Sequence, residues 1–522
     1  MKKYIAISMF VLGVATTHAQ LIEEMDALNY SRTQLKGTAR YMSMGGAFTS
    51  LGGDISSTLQ NPAGVAVYRS SEIATTLGLN FINTNTKQEG NSTSENRTKF
   101  SFDNFGYIGT SKLKNSGSGL MNWNFSAVYN RLHSFERNYV SEGNAGKTAS
   151  SLTDYMAQKT SQLDVYESDL NSGNAYRNGI PWLSVLGYQG YLINGGNNNF
   201  YSSAFQDAQG LLPIKKTRLE VSERGRVDEY NFALGFNYSN MFYAGMNLGI
   251  TDFYYNQDTY YDELFDGSDG FGLANNVRVD GTGVNVKLGV IIRPDYRWRI
   301  GLAYHSPTFY DMSTSYWAET DYFDNRSNDT GTPGTMSGEE LPLSGFSLQT
   351  PQKLLVGTSY IFGKGLISFD YEFCDYSTIK VKRNGFDDTP RYLSEDFKGS
   401  HAIKIGGEYN LSPAFALRAG YAHFTSPIED KVKKGEVEVF TSGTVPNYTI
   451  DKGQNYFSLG FGYKYQNMFV DMAYVLHSQS EDVYPFSSFS ADGDPNYDDV
   501  TPTVSTMTTN RNSVLLTLGF KF

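Results

Sequence analysis

The sequence predicts an all-β protein: a 14-stranded antiparallel transmembrane β-barrel with an N-terminal hatch plugging the lumen. Three observations predict it. From residue 72 to the C-terminus, apolar and polar residues alternate in fourteen segments, the period of a strand whose two faces meet different surroundings. The connections alternate too. Turns such as Tyr238 to Met241, Gly363 to Gly365 and Asn410 to Pro413 are tight, whereas those between them run from over a dozen to about ninety residues. Short turns on one side and long loops on the other belong to outer-membrane barrels. Finally, the charges fall on the face opposite the apolar one, as a barrel in lipid requires.

The chain opens with a secretory signal at residues 1–19. Lys2 and Lys3 form the charged start, Ile5 to Val14 the apolar core, and Thr17-His18-Ala19 the cleavage site before Gln20. Because Gln20 is not Cys, no lipid anchor is expected. Losing the signal takes the net charge from −11 to −13, since it carries two lysines and no acid. An acidic exported chain does not suit nucleic acid. The single cysteine, Cys374, excludes an internal disulfide framework. After the signal, no apolar run reaches the roughly 18 residues of a membrane helix, which leaves strands as the means of crossing.

Residues 20–71 are assigned to the hatch. Its centre, Gly45 to Tyr68, has neither helix nor strand period and is rich in Gly, Ser and Asn. Gly45, Gly46, Gly52 and Gly53 permit positive φ and close backbone approach, and are expected to be its flexible positions. Pro62 fixes its own φ and drives Asn61 to an extended conformation, so Asn61-Pro62-Ala63-Gly64 reads as a rigid turn.

Residues 72–522 supply the barrel. The first strand sets Ile73, Leu77, Leu79 and Phe81 against Thr76, Gly78 and Asn80; a second spans 99–112; the third sets Trp123, Phe125, Ala127 and Tyr129 against Asn122, Asn124 and Ser126. A large outer loop, 135–225, interrupts the alternation. Within it, 151–170 is expected as an amphipathic helix. Trp182, Leu183, Val185, Leu186, Tyr188, Tyr191, Leu192 and Ile193 make an apolar patch that either binds a ligand or packs on neighbouring loops. The pattern resumes at Phe232, Leu234, Phe236 and Tyr238 and returns through Phe242 to Ile250. Paired segments follow at 282–293 with 296–312, 352–362 with 365–380, 400–411 with 413–425 and 454–466 with 468–481, and the chain closes on Val514, Leu516, Leu518, Phe520 and Phe522. The lumen face is read as holding Arg299, Asp370, Glu372, Cys374, Lys404, Glu408, Arg418, Lys464, Asp471 and Lys521.

Enzyme chemistry is not expected. There is no phosphate loop, no metal-spaced Cys/His cluster and no Ser-His-Asp order. Asp370 with Glu372 offers a carboxylate pair, but Lys404, Glu408, Arg418 and Lys464 nearby make a salt-bridged lumen the simpler reading. His133, His305, His401, His423 and His477 lie on or beside separate strands, and no cofactor or metal is assigned.

These features resemble the FadL/TodX outer-membrane transporters for long-chain fatty acids and aromatic hydrocarbons. Asp54 upstream of Asn61-Pro62-Ala63-Gly64 looks like the family's hatch signature. Ala416-Leu417-Arg418-Ala419-Gly420-Tyr421 before Ser426-Pro427, and Ala303-Tyr304-His305-Ser306-Pro307, are similar to its recurrent strand ends. The resemblance implies passive uptake of long-chain fatty acids or similar hydrophobic molecules, with capture at the outer loops, a hatch that gates, and exit through the barrel wall. A lumenal Arg418 or Lys404 would meet a ligand carboxylate. Phe522 would serve as a signal to the barrel-assembly machinery, and the protein would act as a monomer in outer-membrane lipid. The other readings of the same fold are a surface adhesin or structural barrel, and uptake of haem or aromatic compounds.

Overall fold

In a computed structural model of the chain, described for residues 22–113, 119–146, 149–207, 210–324, 329–330, 334–336, 345–383, 386–387, 389–491, 494 and 497–522, the alternating segments form one closed wall. The signal and its cleavage site lie outside the described residues. The wall strands are β1 Glu72–Gln88, β2 Asn91–Lys112, β3 Leu120–Ser134 continued by Arg137–Asn144, β4 Ile214–Tyr238, β5 Phe242–Phe265 and β6 Gly270–Ile292. β7 is Trp298–His305 with Phe309–Asp324, β8 Gly345–Gln349 with Lys353–Phe362, and β9 Gly365–Asp375 with Lys380–Arg383. β10 Gly399–Asn410, β11 Phe415–Phe424, β12 Tyr448–Tyr465, β13 Met468–Tyr484 and β14 Ser505–Lys521 complete the fourteen. Each strand pairs antiparallel with the next, and β14 pairs with β1 from Glu72↔Lys521 to Lys87↔Thr506, so no edge is left at the closure.

The alternation decides which way each side chain points. Phe232, Leu234, Met246, Leu248, Val286, Leu288 and Leu302 face outward and exposed, while their neighbours Asn231, Asn247, Asn285 and Lys287 are buried in the lumen. Tight turns close the inner end. Ser239 and Asn240 both adopt positive φ (52° and 58°), as a two-residue hairpin matched to strand twist requires.

Several strands run well past the ends that alternation predicts. β4 begins at Ile214, β3 continues to Asn144 and β7 reaches Asp324, so the excursion expected over 135–225 is narrower, from 145 to 213. Beyond the hydrocarbon both faces of these strands are polar, and the period that marks a strand in lipid disappears. The helix expected over 151–170 is two: α4 Leu152–Gln162, started by a Ser151/Asp154 capping box, and α5 Glu167–Leu170, with Asp164 at φ 52° between them.

Inside the barrel lies the N-terminal segment. It comprises α1 Glu24–Ser31, α2 Ala39–Ser43, α3 Ser57–Gln60 and a 3-10 turn at Pro62–Val67. α1 reaches up among the outer loops, where Ala27 and Leu28 join a core built from the loops and the upper strands. α2 packs on β11 to β14, and the 3-10 turn on β3 to β6.

Candidate functional site

The segment around Asn61 is seated by its own sequence. Asn61 is extended (φ −142°, ψ 106°), Pro62 starts the 3-10 turn, and Asn61 Oδ1 accepts from Ala63 N at 3.0 Å. Its Nδ2 donates to Thr49 O at 2.6 Å within the segment, and to Val290 O at 3.1 Å and Leu302 O at 3.3 Å on β6 and β7. One side chain thus fastens the segment to two wall strands. Asp54 ties the start of α2 to the start of α3: both of its oxygens accept from Thr38 Oγ1 at 2.8 Å, and Oδ1 from Ser56 N at 2.9 Å. Burial pushes the Asp54 carboxyl above its ordinary pKa.

The wall answers with side chains and with gaps. Asp370 Oδ2 accepts from Thr49 N and Gln60 Nε2, both at 2.8 Å; Arg299 donates to Leu51 O at 2.6 Å; Thr517 Oγ1 accepts from Ala39 N at 2.7 Å. Eight strands turn a glycine toward the segment: Gly235, Gly245, Gly289, Gly301, Gly357, Gly406, Gly420 and Gly460 on β4 to β8 and β10 to β12. A methyl group at Gly289 would overlap Asn61 Oδ1, and one at Gly245 would overlap Pro62 O. The segment therefore sits in a glycine-lined collar, backbone against backbone. Gly45, Gly46, Gly52 and Gly53 have positive φ between 61° and 70°, and the first three are tightly packed against Tyr421, Leu35 and Gly64.

Above and below this seat the lumen holds chambers lined in part by charged side chains. One of about 110 Å³ lies beside α1, lined by Arg32, His133, Arg137, His477 and Arg511 among others. A second, about 120 Å³, holds Lys287, His305, Lys353, Glu372 and Lys404. A third, about 200 Å³ on the inner side, holds Arg40, Asp54, Glu408, Arg418 and Asp471. Lys404 and Arg418 therefore do not share a site, and neither is free. Lys404 Nζ is 2.6 Å from Glu372, whereas Arg418 binds Glu408 at 2.6 Å and Asp471 at 2.5 Å. Arg40 joins the Arg418 cluster through Glu408 at 2.9 Å, locking α2 to β10. Cys374 is buried on the lumen side, as the alternation predicts.

The loop patch is folded inward. Trp182, Val185, Leu186, Leu192 and Ile193 are all buried in the outer core on and after α6, Trp182–Gln189, with the Trp182 ring edge-on to Tyr316 at 5.4 Å. Leu183 and Tyr188 pack at its margin, and Tyr191 stands exposed. Of the two readings of this patch, packing describes the structure.

One stretch of wall is not stitched by backbone pairing. β2 pairs with β1 as far as Gln88↔Asn91, but with β3 only from Asn104↔Asn130 to Lys112↔Asn122. Beyond Asn130, β3 pairs with β4 alone and breaks at Phe135 and Glu136. Residues 91–103 of β2 thus face a seam bridged by side chains: Arg97 and Lys99 reach Glu136 at 2.6 and 3.3 Å, and Arg97 donates to Asn138 at 2.8 Å. At the seam's lower end Phe102 and Phe100 point outward, Phe100 being 68% exposed, so this end alone reaches the apolar band, while the outward residues above it, Ser92, Ser94, Asn96 and Thr98, are polar. The breaks at Pro307 and Pro351 differ. Ser306 N donates to Val286 O, Thr350 N to Thr308 O, and Thr308 N to Thr350 Oγ1, which keeps that wall stitched.

Neither the collar nor the seam was readable beforehand. A strand glycine gives no sign of what approaches it, and a missing pairing has no residue signature.

Residues 258–517 match the family described as outer membrane protein transport protein (OMPP1/FadL/TodX). Among solved structures, a Pseudomonas aeruginosa FadL homologue is similar over 97% of this chain and 100% of its own, at 11% identity and a TM-score of 0.51. The P. putida toluene transporter TodX (12% identity, 93% of this chain and 99% of its own, TM-score 0.48) and the Ralstonia pickettii toluene transporter TbuX (12%, 95% and 100%, 0.47) are also similar. No curated protein matches the chain. With its closed fourteen-stranded barrel and lumenal N-terminal segment, the chain belongs to the FadL/TodX family of outer-membrane transport channels for hydrophobic compounds, which are not enzymes.

Proposed function

We propose that this channel takes up long-chain fatty acids or closely similar amphipathic acids. The observation that carries the reading is a buried guanidinium in the chamber beside α1, Arg511, bonded only to neutral oxygens. In that chamber Arg32 is paired with Asp451 and Arg137 with Glu223 and Glu481, so it is Arg511 that gains from a ligand carboxylate, whereas a bare hydrocarbon gains nothing from displacing water there. Capture begins at the outer cap, where burying each methylene is worth about 0.8 kcal/mol once the patch around Trp182 to Ile193 opens to the chain. Residues 20–71 act as the hatch, with the Asn61-Pro62-Ala63-Gly64 turn as anchor and Gly45, Gly46, Gly52, Gly53 and Asp54 as the parts that must rearrange. A ligand that binds the moved hatch better than the seated one shifts the population toward passage. Exit is sideways through the β2/β3 seam, whose lower end, at Phe100 and Phe102, brings an unpaired ladder to the apolar band. Phe522, whose backbone pairs with Ser71 and whose ring stands exposed, is offered as the assembly signal.

Uptake of a radiolabelled long-chain fatty acid tests the reading, in cells lacking their own carrier. They express either the parent or the Asn61→Gly, Pro62→Ser, Ala63→Gly variant. The expected outcome is uptake by the parent and loss in a correctly inserted variant. An inserted parent that imports none removes fatty acids as the substrate, and labelled toluene or haem in the same cells becomes the next comparison.

A further inference from the structure

We propose that Arg511 on β14 is a latch released by ligand: it holds the break in β3 and residues 32–34 together until an anionic head group takes over its guanidinium, whereupon the seam loosens. The nature of the ligand rests on the fatty-acid reading above; the latch itself does not.

Arg511 is only 8% exposed, yet among the described residues it has no carboxylate within salt-bridge distance. Its donors go to neutral oxygens. One amino group donates to Gln34 Oε1 at 3.0 Å, the other to Ser134 O at 3.3 Å and Glu136 O at 3.2 Å, and Nε has no partner. The carboxylates around it are already taken. Asp103 accepts from Lys36 at 3.4 Å, Asp451 pairs with Arg32 at 3.1 Å, and Glu223 and Glu481 both bind Arg137. Arg511 lines both the chamber beside α1 and a small cavity of about 20 Å³ facing Lys36 and Asp103. A buried guanidinium satisfied by carbonyls alone, with a spare donor and a chamber beside it, is a place in this lumen where an anion gains. Hydrogen bonds to a carboxylate are roughly twice as strong as those to neutral acceptors.

What Arg511 holds is the hinge of the seam. Gln34 is knitted into the β3 break: its backbone N donates to Leu132 O at 2.9 Å, and its side-chain amide both donates to Ser134 O and accepts from Ser134 N at 3.3 Å. His133 Nδ1 meets Arg32 O at 3.1 Å. Glu136, whose carbonyl Arg511 grips from inside, sends its carboxylate outward to Arg97 and Lys99 on β2. The same five-residue stretch thus joins the N-terminal segment to the side chains that close the wall. A head group competing for the two amino groups removes the donors from Ser134 and Glu136 and frees the Gln34 amide, coupling ligand arrival to both hatch and seam.

Spin labels at Thr98→Cys and Val140→Cys, in a Cys374→Ser background reconstituted in lipid nanodiscs, read the width of the seam. The expected result is a longer, broader distance in ligand-free Arg511→Gln than in the parent. In the parent the same shift appears on adding oleate and not on adding methyl oleate, and Arg511→Gln gives no further response. Arg511→Lys, which keeps the charge without the fork, is expected to lie between them, and heat-modifiable electrophoretic mobility reports that each barrel is folded. An unchanged ligand-free distance in folded Arg511→Gln overturns the latch. A parent whose seam responds equally to oleate and methyl oleate overturns the head-group trigger. If neither lipid binds the parent, the fatty-acid reading fails, while the ligand-free comparison still decides the latch.

Discussion

At Asn61 one amide does the work of several contacts, and its removal has a calculable cost. Asn61→Ala would leave Thr49 O, Val290 O and Leu302 O without that donor in a site where Asn61 is fully buried. An unsatisfied buried group costs about 1–3 kcal/mol, so the seat is expected to weaken by at least that much while the wall stays intact. Hydrogen exchange over residues 49–64 checks it, with protection falling there and not in β5 or β6. Gly289→Ala attacks the same contact from the wall, pushing a methyl into Asn61 Oδ1 at about 1–3 kcal/mol of overpacking. It is expected to give the same local loss of protection and a faster influx of small polar dyes into whole cells. Unchanged exchange in Gly289→Ala would mean that the collar does not hold the segment. The contrast between these residues also shows what a sequence reveals. Asn61-Pro62 carries its constraint within two neighbouring residues and was legible; Gly289 acquires its role from a segment more than two hundred positions away, and its lack of a side chain reads equally well as a bend.

At the scale of elements, strands were legible wherever lipid imposed its alternation and fell short wherever both faces met water, as in the outer parts of β3, β4 and β7. α1 was not legible at all. The helix and its N-cap place acids inside the outer core: Glu24 Oε1 accepts from Phe440 N at 2.9 Å, and Tyr392 donates to Glu23, the residue before the helix. Burial, with Asp396 beside it, pushes the Glu24 carboxyl up to about 9, and burial pushes Asp26 up to about 6. A carboxyl whose folded value lies above its unfolded one stabilises docking in the protonated form. That contribution is whole below about pH 4.5 for Glu24 and about 3.8 for Asp26, and declines as pH rises toward 9 and toward 6 respectively. Docking of α1 is therefore expected to weaken between pH 6 and 8, by at most about tenfold per pH unit in the docked-to-released ratio. Limited proteolysis of residues 22–36 at the two pH values measures this, and Glu24→Gln should flatten the dependence. Equal cleavage of the parent at both pH values would show that α1 docks without regard to these charges.

For the whole molecule, the ladder between β2 and β3 is missing along their outer halves, and a channel whose lumen is filled by its own N-terminal segment has to pass its ligand around an obstacle. Where the lower end of the gap reaches the apolar band it is costly, because backbone groups in lipid have no water to turn to. Its persistence at the level of Phe100 and Phe102 is most simply explained by use. If the seam is the exit, fixing it shut should stop transport without touching the seat. Thr93 and Val140 already meet across it through a hydrogen bond from Thr93 Oγ1 to Val140 O. Joining Thr93→Cys to Val140→Cys with a short thiol crosslinker, in a Cys374→Ser background, is expected to reduce fatty-acid uptake to the level of cells without the channel. Each single-cysteine variant treated alike should retain uptake. Hydrogen exchange over residues 49–64 should be unchanged in the crosslinked protein, which separates a blocked exit from a jammed hatch. Crosslinked channels that still import at the parent's rate would place the exit elsewhere, and the stitched breaks at Pro307 and Pro351 would then be the next stretch of wall to fix.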